Sequence, residues 1–334
     1  MTALAPHLSA YLREHLPRER AVSPHTVKTY ANCFVLLVQF AADRLKRRPT
    51  DLAIEHLGTD MIMAFLDHVE TGRGSCVRTR NGRLAAIRSF FRYIEYRIPA
   101  CLDQALRVRS IPTKKTDQAL IDYLDRAEIK ALLDAPDPRT RLGTRDRAML
   151  HLAYAGGLRV SELVTLQLRD FPDRSLSTVH IIGKGRRERV LPLWKETQFA
   201  LRAWLVIRPD AQAAEIFLNA NGQPMTRDGF ASRLAEHVKT AAEKQPSILG
   251  KRVTPHVLRH SCAMHTLAAT GDIRKVALWL GHASIQSTET YLRADPEEKL
   301  QILAAHGAPA IKPGRFKPPS DALITMLTDV RRRA

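Results

Sequence analysis

The chain has 334 residues, 45% of them hydrophobic, and its 52 Lys and Arg against 34 Asp and Glu give a formal net charge of +18. This length suits two globular domains of ordinary size. A positive surplus this large is typical of proteins that bind a polyanion, nucleic acid first, although a basic protein without a specialised partner is the alternative. Residues 1–110 hold 17 basic and 10 acidic residues and the remainder 35 and 24, so both halves are basic, as expected if two domains grip one duplex.

Cysteine usage and hydropathy exclude several classes of protein. The four cysteines are scattered without a CxxC pair, which argues against a zinc site or a disulfide scaffold and favours a reducing compartment. The N-terminus lacks the apolar core of a signal peptide, and no apolar run approaches the roughly 20 residues that would span a membrane. We therefore expect a cytoplasmic protein with no membrane partner.

Residues 1–106 are predicted to form a small helical bundle. A short helix is expected near residues 5–16. Ser23 is the predicted N-cap of a second helix, because a proline follows it in the first turn. Thr59 and Ser75 are the predicted caps of a third and a fourth helix. Apolar residues then recur at helical spacing: Val27, Tyr30, Phe34, Leu37, Val38 and Ala41; Ile62, Phe65, Leu66 and Val69; Leu84, Ile87, Phe91 and Ile94.

Five arginines crowd the start of the fourth helix, where positive charge opposes the helix dipole: Arg73, Arg78, Arg80, Arg83 and Arg88. Phosphates nearby would explain them, and simple solvation is an equally good explanation.

The next segment, residues 107–119, has proline and threonine but no periodicity, so we interpret it as a domain linker. Lys114 and Lys115 within it are candidates for contacts along a phosphate backbone.

A second domain is predicted over residues 120–306. Helical patterns cover 125–135 and 143–155, Gly156 and Gly157 end the second of these, and a helix restarts near Leu158. The periodicity then changes to two short β-prone segments, 178–182 and 189–193. Glycines flank a lysine between them, which predicts a hairpin tip at 183–187. A further short strand is expected at 216–218, before an Asn-Gly turn.

Residues 307–334 form a predicted C-terminal tail. Its first part is rich in proline and glycine, and residues 321–331 place four apolar side chains on one helical face. Such a short helix is marginal alone in water. We therefore expect it to dock on its own domain or on a neighbouring subunit.

Residues 251–291 carry the densest set of chemically active side chains. Thr254 is a plausible N-cap with proline after it, and the spacing of His256 and Arg259 puts both on one helix face. Gly281 and His282 follow, and Tyr291 comes nine residues later. Taken alone, each of these residues would more simply be explained as structural. An arginine would form a surface salt bridge, and a histidine or tyrosine would be a packed ring.

Taken in order, six groups resemble the catalytic set of the tyrosine recombinases, the phage-integrase and Xer family. The motifs are GGLRVSELVTL around Arg159, IIGKGRRERVLPL around Lys184, HVLRH with His256 and Arg259, LGH with His282, and Tyr291. The resemblance covers about residues 120–300, and residues 1–106 resemble the family's helical core-binding domain. It implies a mainly α fold with a small antiparallel β-sheet (α+β).

The resemblance implies attack of Tyr291 on a DNA phosphodiester to give a 3′-phosphotyrosine. Arg159 and Arg259 would clamp the non-bridging oxygens, since guanidinium is planar and always charged. Lys184 would be the general acid for the leaving 5′ oxygen. His256 and His282 would hydrogen-bond the phosphate, with His256 also a candidate acceptor for the tyrosine proton.

Several further expectations accompany this assignment. Glu162, three residues after Arg159, matches the family's acidic position and could support that arginine. His260 and His265 are taken as structural, and Arg186 and Arg187 at the hairpin tip are candidate DNA contacts. The sequence has no Asp/Glu/His cluster suited to two metals and no GxxxxGK[ST] loop, so no metal or other cofactor is expected.

The expected partners are duplex DNA and other copies of a recombinase, in a homo- or hetero-tetramer on two DNA sites, as the resemblance implies. A transposon or another mobile element is the favoured source, with a chromosomal resolvase or a phage integrase as alternatives. Two other functions stay open: a non-catalytic, architectural DNA-binding protein of the same fold, and a type IB-like topoisomerase that releases strands instead of exchanging them.

Overall fold

The computed structural model describes residues 1–117, 121–173, 175–183, 187–210, 212–282 and 284–294, together with Met326 and Arg331. The chain divides into two units, Met1–Gln118 and Ala119–Ala334. Helices dominate both, with one small antiparallel sheet, so the predicted mainly α fold class is confirmed. Among the described residues, no helix has the length and apolarity needed to cross a bilayer.

The first unit is a helical bundle whose helices follow one another with short connections. They are α1 (Leu4–Ala10, continued by a π-helical stretch Tyr11–Glu19), α2 (Pro24–Leu45), α3 (Thr59–Asp67, continued by a π-helical turn His68–Gly72), α4 (Val77–Arg97) and α5 (Leu102–Ser110). The apolar stripes named from the sequence face its core. Phe34, Leu37, Ile62, Leu84 and Ile87 are all buried there.

The predicted helix boundaries agree with the structure at some ends and differ at others. Ser23 caps α2 as predicted, accepting a hydrogen bond from the backbone of Thr26. The predicted caps of α3 and α4 are wrong by one residue, since Gly58 and Cys76 occupy those positions. Helix α5 was missed because its nine residues are too few for a clear pattern, and the first four residues of the predicted linker are helical.

Two of the arginines that crowd the start of α4 are used within the first unit. Arg80 is buried and donates to the carbonyl of Pro112, and Arg88 donates to the carbonyl of Ile111. These bonds fasten the segment after α5 against α4. Packing therefore accounts for these two arginines without phosphate.

The second unit surrounds its own core with helices and one hairpin. Its elements are α6 (Arg126–Asp134), α7 (Arg141–Ala155), α8 (Val160–Val164), β1 (Thr178–Ile182), β2 (Glu188–Pro192), α9 (Lys195–Ile207), α10 (Arg227–Ala242), α11 (Pro255–Thr270), α12 (Ile273–Leu280) and α13 (Glu289–Ala294). Strands β1 and β2 pair antiparallel, with Thr178 opposite Pro192 and Ile182 opposite Glu188. The two predicted strands are therefore present and paired, and residues 184–186 of the predicted tip lie outside the described residues.

The strand predicted at residues 216–218 is wrong. This apolar run is buried, but it pairs only through an isolated antiparallel bridge of Leu218 with Pro224, while the indole of Trp204 donates to the carbonyl of Ile216. A short, continuous apolar run in a sequence does not show whether the segment will be a strand or another buried segment, because it lacks an alternating pattern.

Candidate active site

The turn between α7 and α8 places Arg159 at the N-cap of α8. Gly157 in this turn has a φ of +53°, and a Cβ added there would lie 2.5 Å from Cδ2 of Leu280. A side chain would therefore be strained and would also collide with the end of α12. The Gly-Gly pair thus allows the chain before Arg159 to touch the segment before His282.

Glu162 lies in the first turn of α8, and its carboxylate forms hydrogen bonds with two arginines. One carboxylate oxygen accepts from Nη1 of Arg159 at 2.8 Å, and the other accepts from the backbone of Arg159 at 3.0 Å and from Nη2 of Arg189 at 2.8 Å. Burial alone raises the pKa of Glu162, but the hydrogen bonds and charges of Arg189 and the bonds from Arg159 outweigh this and lower it. Glu162 is therefore ionised at neutral pH.

Arg259, on α11, is only 4% exposed. Its Nη1 donates to the carbonyl of Gly157, and its Nη2 donates to that of Leu280 at 2.8 Å. Burial, with a further contribution from nearby Arg159, lowers the pKa of Arg259 to about 10, so it stays charged at neutral pH. A buried cation held by carbonyl dipoles leaves its full charge available to an anion.

Tyr291, on α13, is 2% exposed and packs among apolar side chains of α11 and α12. Its hydroxyl forms a hydrogen bond with Nδ1 of His260 at 3.1 Å. Burial raises the pKa of Tyr291 to about 12, although the charge of Arg259 acts in the opposite direction. Burial, His256 and Arg259 lower the pKa of His260 to about 4, so its ring is neutral at pH 7 and one ring nitrogen keeps a lone pair.

His282 follows Gly281, which caps α12 with a φ of +64°. Its Nδ1 bonds to Oγ1 of Thr288 at 2.8 Å, and its ring stacks over that of Tyr291 with centroids 6.4 Å apart. Burial, together with the charges of Arg259 and other arginines, lowers its pKa to about 4. His282 is therefore a neutral hydrogen-bonding group, tied to the turn that carries Tyr291.

The structure brings Arg159, Arg259, His282 and Tyr291 together in the second unit. His256 is exposed, one helical turn from His260, with ring centroids 6.5 Å apart. The sequence suggested His256 as the acceptor of the tyrosine proton. In the structure, His260 is the histidine of α11 that forms a hydrogen bond with the Tyr291 hydroxyl, so it is better placed for this role. Lys184 lies outside the described residues.

The four candidate DNA-contacting residues differ in their surroundings. Lys114 forms an ion pair with Glu70 at 2.8 Å, and its backbone bonds to the side chain of Asn81. Lys115 and Arg187 are exposed. Arg186 lies outside the described residues. Their contact with DNA stays a prediction.

Sequence reasoning missed Arg189 and set His260 aside. The sequence contains a pattern that could have identified each of them. Arg189 shares the inward face of β2 with Leu191, so the period of two predicts a buried arginine. His260 is four residues after His256, which puts both on one face of α11. Which histidine reaches the tyrosine depends on how α13 packs, and no local pattern encodes that.

This arrangement can bind and polarise an anion. Two arginines are held at fixed positions by Glu162 and by two carbonyls, and neutral histidines lie beside a buried phenol. A phosphodiester between them would meet donors for its non-bridging oxygens and an oxygen nucleophile. Across the described part of the chain, no three His, Cys, Asp or Glu side chains are close enough to hold a metal ion.

Comparison with known proteins gives matches over both units. Residues 122–298 match the phage integrase family, and residues 8–97 match the phage integrase N-terminal SAM-like domain. The y4rC protein of Sinorhizobium fredii, whose name describes an integrase/recombinase, is 40% identical over 98% of both chains. The tyrosine recombinase XerC of Myxococcus xanthus is 35% identical over 90% of this chain and 97% of its own.

Two solved structures share the fold. The integrase of the Tn1549 transposon, in complex with transposon right end DNA, matches with a TM-score of 0.65 at 19% identity, over 91% of this chain and 100% of that one. The XerH recombinase bound to difH matches with a TM-score of 0.62 at 21% identity, over 89% and 84%.

Proposed function

We propose a reaction for this chain from the premise that it belongs to the phage integrase family, whose named relatives include the Xer tyrosine recombinases. As a member, it is a tyrosine-type site-specific recombinase. Its substrate is duplex DNA, which it cleaves and rejoins.

In the proposed reaction Oη of Tyr291 attacks the scissile phosphorus, and the bond from phosphorus to the 5′ oxygen breaks. The tyrosine proton passes to a neighbouring histidine, and Lys184 gives a proton to the departing oxygen. Arg159 and Arg259 stabilise charge on the non-bridging oxygens. A free 5′ hydroxyl then attacks the 3′-phosphotyrosine and releases Tyr291. The phosphotyrosine conserves the energy of the broken bond.

One observation carries this assignment of roles. The phenol of Tyr291 lies against two neutral histidines, and the adjacent Arg259 is buried with its donors on carbonyls. Burying an arginine without a carboxylate on its fork is costly unless an anion arrives. A DNA phosphate would supply that anion and bring phosphorus close to the hydroxyl of Tyr291, an oxygen nucleophile.

The finer features of the function are part of the same proposal. Exchange of two strands at each of two sites calls for four protomers, identical or mixed. We favour a mobile element as the source of the protein and the cytoplasm as its location. Lys114, Lys115, Arg186 and Arg187 are proposed to contact the DNA backbone.

A recombination assay tests the function as a whole. The substrate is a supercoiled plasmid with two copies of a DNA site selected for binding to the protein. We expect circles of the sizes that exchange between the sites predicts. Relaxed plasmid without exchange, independent of the site, would show a type IB-like topoisomerase. Site-specific binding with neither product would favour the architectural role.

Replacing His260 by phenylalanine tests whether this ring assists Tyr291. The change keeps an aromatic ring but removes the hydrogen bond to the phenol, so we expect cleavage to slow by about 10²-fold, as for loss of a general base. Single-turnover cleavage of a nicked duplex measures this. His265 on the same helix bonds to the phenol of Tyr154 at 2.8 Å, which makes His265→Phe the matched control. Equal rates for the two variants would assign His260 a packing role.

A further inference from the structure

We propose that Arg189 is a positioning residue for the reaction: by occupying Glu162 it keeps Arg159 free to bind the scissile phosphate. This inference rests on the proposed function, because it concerns the same phosphate. Arg189 makes its contacts through Glu162, and it has no assigned part in the chemistry described above.

Arg189 and Glu162 form the more complete of the two ion pairs at this carboxylate. The Arg189 side chain is 9% exposed, and its Nη2 and Nη1 lie 2.8 and 3.4 Å from the two oxygens of Glu162. Arg159 gives Glu162 only one side-chain nitrogen, Nη1, and is 28% exposed. The two-nitrogen contact is therefore made by Arg189, while only one side-chain nitrogen of Arg159 bonds to Glu162.

The charge balance explains why a second arginine is useful here. Glu162 fixes the position of Arg159 through its backbone and one nitrogen, but a carboxylate beside a phosphate-binding arginine also cancels its charge. With Arg189 on the same carboxylate, the group of three carries one net positive charge. Arg159 is then oriented by Glu162 without being neutralised.

The location of Arg189 links it to two more segments of the site. A Cβ added to Gly281 would lie 3.0 Å from Cδ of Arg189, and one added to Gly183 would lie 3.4 Å from its Nη1. Gly281 precedes His282, and Gly183 ends β1 before the hairpin tip. The Arg189 side chain therefore fills the space where the hairpin, the start of α8 and the end of α12 meet.

A double-mutant cycle tests the dependence on Glu162. Covalent cleavage rates are measured for wild type, Arg189→Met, Glu162→Gln and the double variant on a verified, nicked DNA site. We expect Arg189→Met to cleave about 10²-fold more slowly, as for a misplaced catalytic group. The double variant should be no slower, because the carboxylate that would neutralise Arg159 is gone. A double variant as slow as the product of both single effects would overturn the proposal.

A second substrate separates this role from a loss of stability. A methylphosphonate at the scissile position removes the charge of one non-bridging oxygen. Because Arg189→Met leaves Glu162 to neutralise the charge of Arg159, its defect should be at least about tenfold smaller on this neutral substrate. Equal defects on both substrates would show a purely structural residue. If Arg189→Met does not fold, Arg189→Lys, which keeps the charge without the fork, is measured in the same way.

The matched control is Arg145→Met. Arg145 is as deeply buried, 3% exposed, and pairs with Asp146 at 2.6 Å on α7. We expect it to lower thermal stability without changing the ratio of rates on the two substrates. A wild-type protein that forms no adduct on the verified site would overturn the proposed function and this role together. An adduct with unchanged kinetics in Arg189→Met would overturn only the role of Arg189.

Discussion

Tyr291→Phe is expected to form no covalent adduct with DNA, a loss of at least about 10⁴-fold, because it removes the attacking oxygen itself. DNA affinity should stay close to wild type, since the lost hydroxyl bonds only to His260 among the described residues and lies buried. The measurement is incubation with a nicked duplex carrying the target site, followed by denaturing electrophoresis.

Tyr154→Phe is the control for this experiment. Its half-buried phenol also bonds to a histidine of α11, His265, and among the described residues it makes no hydrogen bond to Arg159 or Arg259. It should form the adduct at the wild-type rate. An adduct that persists in Tyr291→Phe would mean that another residue is the nucleophile. Tight binding without adduct by wild type and both variants would support the architectural function.

The burial of Tyr291 has a consequence for how cleavage begins. With 2% exposure and a pKa raised to about 12, the phenol is neither accessible nor ionised in the DNA-free protein. In the proposed reaction, a neutral His260 accepts the tyrosine proton as the phosphate approaches and the charge of Arg259 stabilises the phenolate. The proposed mechanism therefore expects Tyr291 to become reactive only after DNA binds.

The sequence predicted which residues meet at this site better than it predicted their supporting contacts. Motif order predicted six catalytic groups, and four of them meet in the described part of the structure, while their roles stay predictions. The hairpin was found from a change of period flanked by glycines. These features are local, so they leave a pattern within a few residues.

The supporting contacts depend on segments far apart in the chain. Arg189 reaches Glu162 across 27 residues, and His260 reaches Tyr291 across 31. The packing of helices and of the β-hairpin in three dimensions decides such pairs, and a single sequence holds no direct record of it. The wrong strand prediction at 216–218 has the same origin, since the indole of Trp204 on α9 takes the carbonyl of Ile216 and only Leu218 forms an isolated β-bridge.

Arg259→Gln is expected to slow cleavage by about 10³-fold, the size of effect seen when a preorganised charge-stabilising donor is removed. Arg259→Lys should also be impaired, by about 10²-fold, because a single ammonium cannot hold the carbonyls of Gly157 and Leu280 and also face a phosphate. Single-turnover adduct formation gives both rates.

The substrate charge distinguishes the two ways in which Arg259 could matter. Two buried carbonyls lose their donor in Arg259→Gln, so thermal stability should fall as well. If Arg259 serves the transition state, its loss should be much less harmful on a methylphosphonate, which develops less negative charge. If it only joins α11 to the turn before Arg159 and to the end of α12, both substrates should slow equally. Arg145→Gln, at an equally buried arginine, should slow neither. We expect the first result, because an arginine held by carbonyls keeps the positive charge that a phosphate requires.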